Sequence, residues 1–103
     1  MLDFLKNILG SGPKVDIGEW IQNGAVIIDV RTPREFKGGH VKGSQNIPLN
    51  EIGGKIEKIK KMNKAVITCC ASGARSGSAA SKLRAAGIEA VNGGPWHKVE
   101  QYL

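Results

Sequence analysis

A chain of 103 residues, 41% hydrophobic and 23% charged, has the size and balance of one globular domain with a modest core, which excludes a fibrous or wholly disordered protein. Its longest apolar run is four residues, at 25–28, far short of the roughly 20 that span a bilayer as a helix. Fifteen Lys and Arg against nine Asp and Glu give +6, but the bases are scattered and no aromatic RNA-binding motif accompanies them. The densest cluster (Lys55, Lys58, Lys60 and Lys61) therefore reads as a solvated helix face, and no nucleic-acid partner is expected.

In chain order, MLDFLKNIL carries apolar residues at positions 1, 2, 4, 5, 8 and 9, a helical stripe that GSGP ends. Residues 1–12 are expected to form a helical extension and short linker ahead of a domain over 13–103. One Lys and no Arg favour docking of that helix over a membrane-surface role, because interfacial helices are rich in bases. No charged segment precedes a continuous apolar run here, so a cytoplasmic location with reduced thiols is the expectation.

Asp16 is placed to cap IGEWIQN, with Glu19 three residues on and Asn23-Gly24 closing the helix. AVIIDV at 25–30 has the β-branched, apolar character of a strand buried on both faces. Thr32 caps a short helix, PREF, with Pro33 at its first position. A Gly-rich segment, KGGHVKGSQNIPL, holds a short strand near Gln45–Ile47, and a Lys-rich helix runs from Asn50 to about Met62, weakened by Gly53-Gly54. KAVITCC is a second buried strand. SGSAASKLRAAG is a helix stopped by Gly87, IEAVN a third core strand, and PWHKVEQYL a helix begun by Pro95. Strands alternating with helices at this spacing predict an α/β fold: one domain, a mainly parallel sheet, and helices on both faces.

In such sheets ligands bind beyond the carboxyl ends of the strands, where the loops after Asp29 and Cys69 stand. CCASGARS follows a core strand and leads into a helix, so its backbone N–H groups and the helix start form a cradle for an anion. A thiol held there ionises more easily than a free one, whose pKa is roughly 8.5. Cys70, at the mouth of the loop, is the expected nucleophile, and Cys69, on the strand, the expected structural residue. The small residues Ala71, Ser72, Gly73 and Ala74 let the backbone curl round whatever the sulfur carries, and Arg75 adds a planar cation.

IIDVRTPREFKGGHVKGSQNIPL at 27–49 resembles the signature of the rhodanese domain, in Asp29, Arg31, Glu35, Phe36, Gly39, His40, Val41, Gly43, Ser44, Asn46, Ile47 and Pro48. CASGARS resembles that family's active loop, C-x-x-G-x-R-S, and GGPW its closing Gly-Gly turn and aromatic. The resemblance covers about Val15 to Leu103. It implies a sulfurtransferase in which Cys70 takes a sulfane sulfur from thiosulfate or polysulfide, becomes a persulfide, and passes the sulfur to cyanide, a thiol or a protein acceptor. The amides from Ala71 to Arg75 would hold the outer sulfur, with no metal or organic cofactor. Asp29, Arg31 and His40 would be structural supports of the site, and His97 a surface residue. Because the four residues between Cys70 and Arg75 are uncharged, polysulfide is favoured over the thiosulfate dianion.

Two other readings remain. Counted from Cys69, the loop is C-x5-R, the spacing of cysteine phosphatases that share this fold. A silent binding module is the third, against which the retained Cys70 speaks.

Overall fold

A computed structural model describes residues 14–103. The extension predicted over residues 1–12 lies outside the described residues. Helix α1 (Ile17–Gln22) starts at Asp16, whose Oδ1 accepts the Glu19 amide at 3.1 Å, and the chain leaves it through Gly24 at φ +91°. Strand β1 (Val26–Asp29) leads to α2 (Pro33–Lys37), where the Thr32 hydroxyl accepts the Glu35 amide and the Glu35 carboxylate accepts the Thr32 amide, closing a full capping box. The short β2 (Gln45–Asn46) follows.

The helix predicted from Asn50 to Met62 is divided. Leu49–Lys55 is a 3-10 helix, and only Ile56–Lys61 is α-helical (α3). Gly53 and Gly54 explain the division, since each glycine costs an α-helix interior roughly 1 kcal/mol relative to alanine. Both halves still bury one isoleucine completely, Ile52 and Ile59.

Strand β3 (Val66–Cys70) is buried at all five positions. Helix α4 (Ala74–Ala85), strand β4 (Ala90–Pro95) and helix α5 (Trp96–Glu100) complete the chain. The four strands form a parallel sheet in the order β2-β1-β3-β4. Successive residues on a strand face opposite sides, and the apolar residues divide accordingly. Ile28, Val66 and Cys70 pack with Ile52, Ile59, Ala79 and Leu83 on one face. Ile27, Ile67 and Cys69 pack with Trp20, Trp96 and Val99 on the other. The α/β architecture with helices on both faces of a parallel sheet is as the sequence predicts.

Candidate active site

The two cysteines occupy adjacent positions on β3 and are both fully buried. One residue of offset on a strand reverses the direction of the side chain, so their sulfurs enter different environments. Cys69 lies in the cluster with Trp96 and Val99, next to Asp29 in strand register. Burial, reinforced by the Asp29 charge, pushes its thiol up to about 12.

The Cys70 sulfur sits under the loop and against α4. It accepts the Gly73 amide at 3.0 Å and the Ser76 amide at 3.4 Å, and its Sγ lies 3.3 Å from the Ser76 hydroxyl. Burial works against ionisation here too. The Ser76 hydroxyl and amide, with the amides of Gly73 and Ser72, outweigh it and hold the thiol below its ordinary value. The loop is shorter than the sequence suggests. Cys70 closes the strand, Ala74 opens the helix, and only residues 71–73 lie between. Gly73 makes the sharp turn at φ +101°, a left-handed conformation in which its N–H points back at the sulfur.

Ala71, Ser72 and Ala74 are exposed around the buried sulfur, and Arg75 is half-buried on the first turn of α4. Its guanidinium is engaged: Nη1 donates to Glu35 Oε1 at 2.7 Å and Nη2 to Oε2 at 3.0 Å. This two-point pair fastens α4 to α2. The Arg75 fork and the Thr32 amide draw the Glu35 carboxyl down to about 2.

Asp29 and Arg31 form a buried ion pair, with Arg31 Nη2 donating to Asp29 Oδ2 at 2.7 Å and Nε contacting both carboxylate oxygens at 3.0 Å. Arg31 also donates to the Gly39 carbonyl at 2.7 Å and lies 4.9 Å from the centre of the Trp96 ring. The pair belongs to the Cys69 side of the sheet. It approaches the loop indirectly, where Nη1 reaches the Glu35 carbonyl at 3.4 Å and Glu35 in turn holds Arg75. His40 stacks on Phe36 with ring centres 3.7 Å apart, and its Nδ1 bonds the Phe36 carbonyl at 2.7 Å. It is exposed and, among the described residues, makes no hydrogen bond to Cys70, and His97 is exposed against Trp96. Among the described residues no three His, Cys, Asp or Glu side chains gather where they could hold a metal ion.

Three participants escape sequence reasoning. Ser76 lies one residue beyond the predicted cradle, although it is the final residue of C-x-x-G-x-R-S. Glu35 reads locally as a cap, and only the fold brings it to Arg75, 40 positions away. Asn92 Nδ2 donates to the Gly73 carbonyl at 3.0 Å, while its Oδ1 accepts the Ser76 hydroxyl at 2.7 Å and the Gly94 amide at 2.9 Å. A polar residue ending the core strand IEAVN was its available signal.

A thiol held by two backbone amides and a hydroxyl is what these contacts build. A family model described as the rhodanese-like domain matches residues 14–94. The chain is 44% identical over 67 residues to protein YqhL of Bacillus subtilis (strain 168), a match covering 65% of this chain and 52% of that protein. It is 38% identical over 65 residues to the thiosulfate sulfurtransferase PspE of Escherichia coli (strain K12), covering 62% of each. Of solved structures, a rhodanese-related protein from Thermoplasma volcanium superposes with a TM-score of 0.69 at 30% identity, over 85% of this chain and 91% of that one. A rhodanese with anions from E. coli superposes with a TM-score of 0.66 at 32% identity, over 73% and 91%. The matches span 38% to 62% of the length of the curated relatives. The chain belongs to the rhodanese-like domain family.

Proposed function

We propose that this domain is a sulfurtransferase that carries a sulfane sulfur as a persulfide on Cys70. The observation that carries the reading is the difference between the two cysteines: Cys70 Sγ meets two amides and a hydroxyl, whereas Cys69 is buried on the far face with a thiol raised to about 12. In loading, the Cys70 thiolate attacks the outer sulfur of thiosulfate or polysulfide. The donor S–S bond breaks, and its electron pair leaves with sulfite or the shortened polysulfide. In off-loading, cyanide or a thiolate attacks the outer sulfur of the persulfide, and the pair of the broken bond returns to Cys70. Loop amides favour each anionic stage. Two curated relatives bearing the name thiosulfate sulfurtransferase support the same reading.

Polysulfide is the donor the loop suits better. Residues 71–74 bring no charge, and the Arg75 cation is paired with Glu35. The phosphatase count starts from Cys69, which belongs to the cluster with Trp96 and Val99, on the face of the sheet opposite Cys70. The test is thiocyanate formation from polysulfide and cyanide. Cys70→Ser should abolish it and Cys69→Ser should leave most of it. Activity that survives in Cys70→Ser, or aryl phosphate hydrolysis that depends on Cys69, would overturn the proposal.

A further inference from the structure

The Ser76 hydroxyl has one proton and two neighbours that could take it. Asn92 Oδ1 is 2.7 Å away and Cys70 Sγ is 3.3 Å away. Which one receives it depends on how Asn92 is turned, and two backbone groups fix that. The Gly94 N–H requires an oxygen on one side of the amide, and the Gly73 carbonyl requires an N–H on the other. Asn92 therefore presents an acceptor to Ser76. While the sulfur is neutral, Ser76 donates to Asn92 and its lone pairs face Cys70, where they can accept the S–H. Once the sulfur is an anion, those lone pairs would face a negative charge in a buried space, and the O–H must turn to the sulfur to be favourable.

We propose that Ser76 is a catalytic residue of the off-loading step, its proton parked on Asn92 while Cys70 Sγ is neutral and turned onto the sulfur as thiolate character develops, with Asn92 as the positioning residue. This rests on the sulfur-transfer reading. In the persulfide the inner sulfur is uncharged and the outer one carries the charge, so the hydroxyl has no anion beside it. When an acceptor attacks the outer sulfur, the S–S pair flows onto Sγ, and the hydroxyl swings to meet the leaving thiolate. A better-stabilised thiolate is a better leaving group and a weaker nucleophile. Ser76 should therefore help off-loading and restrain loading, a pair of opposite effects. The charged and titratable groups around the site are Cys69 on the other face of β3, Asp29 at the end of β1 with Arg31 just beyond it, Glu35 on α2 and Arg75 on α4. None of them is changed by the substitutions below.

The experiment measures three quantities on folded protein: the alkylation titration of Cys70, single-turnover persulfide formation from polysulfide above that titration, and thiocyanate release from the preloaded protein. Removing one hydrogen bond to the thiolate in Ser76→Ala should raise the titration by about one pH unit. With rates following thiol basicity to about the half power, loading should become about threefold faster and off-loading about threefold slower. Ser76→Thr keeps the hydroxyl and should restore both rates to about wild type. Asn92→Ala should alter off-loading in the wild-type background more than in Ser76→Ala. An unmoved or lowered titration, or both rates falling together in Ser76→Ala, would overturn the proposal, and equal Asn92→Ala effects in the two backgrounds would overturn the part assigned to Asn92. If no persulfide forms on Cys70 in the wild type, the sulfur-transfer reading itself fails, while the titration still decides whether Ser76 donates to the thiolate.

Discussion

Arg75 shows how one residue's charge can be spent within the fold. The guanidinium that the loop spacing offers to an anionic donor holds both oxygens of Glu35. Replacing Glu35 by Gln keeps an acceptor for the Thr32 cap and removes the countercharge. A charge-assisted contact is worth about 1.5–3 kcal/mol, so recovering part of one should lower the thiosulfate KM by about threefold to tenfold. Under the proposed function polysulfide relies on the amides and not on this cation, so its KM should respond less. Steady-state kinetics with both donors checks this, and an unchanged ratio of the two KM values would contradict it. The same pair responds to acid. Because the Glu35 carboxyl is lowered in the folded state, its contribution is complete above the unfolded carboxyl's value near 4.5 and is lost as pH falls toward about 2.

Two glycines, one capping the start of α4 and one within β4, shape the cradle, for different reasons. Gly73 needs its left-handed conformation, and a methyl group there would also lie 3.3 Å from Gly94 Cα. Gly93 needs space: a Cβ would stand 2.7 Å from Val99 Cγ2, 2.8 Å from Ile67 Cγ2 and 2.9 Å from the Thr68 carbonyl. Beside it the β3–β4 register shifts between Thr68 and Cys70. Gly73→Ala should cost about 1–2 kcal/mol in strain and shift the Cys70 titration upward, because the Gly73 N–H can no longer point at the sulfur. Gly93→Ala should cost about 1–3 kcal/mol or more, since backbone and two packed methyls must move. Denaturant unfolding with parallel alkylation separates the two. A destabilised Gly73→Ala whose titration is unmoved would contradict the role given to its amide.

At the scale of the whole molecule, the sheet gives neighbouring thiols opposite pH behaviour. Cys69 is raised in the folded state, so its contribution to stability is complete below the unfolded thiol's value near 9 and is lost as pH rises toward about 12. Full titration would cost on the order of 4 kcal/mol. Cys69→Val, which cannot ionise, should flatten the alkaline decline in unfolding free energy between pH 9 and 11. A decline identical to the wild type would contradict the burial argument. Much of this arrangement was legible in the chain. The β-branched runs VIID and VITCC announce buried parallel strands, Asp16 and Thr32 announce their helices, and the place of Cys70 where strand gives way to loop singles it out from Cys69, although the structure keeps it as the last residue of β3. What could not be read are contacts set by tertiary approach. Glu35 meets Arg75 only because α2 and α4 converge, and Asn92 meets Ser76 only because β4 lies beside β3. The 3-10 segment at Leu49–Lys55 was visible only as a weak helix.

The most direct test of the account is where a sulfur atom lands. Wild-type protein incubated with polysulfide, digested and mapped by fragment mass spectrometry should gain about one sulfur on Cys70 and none on Cys69, and Cys70→Ser should gain none. Added sulfur located on Cys69, or a wild-type protein that takes up no sulfur at all, would contradict it.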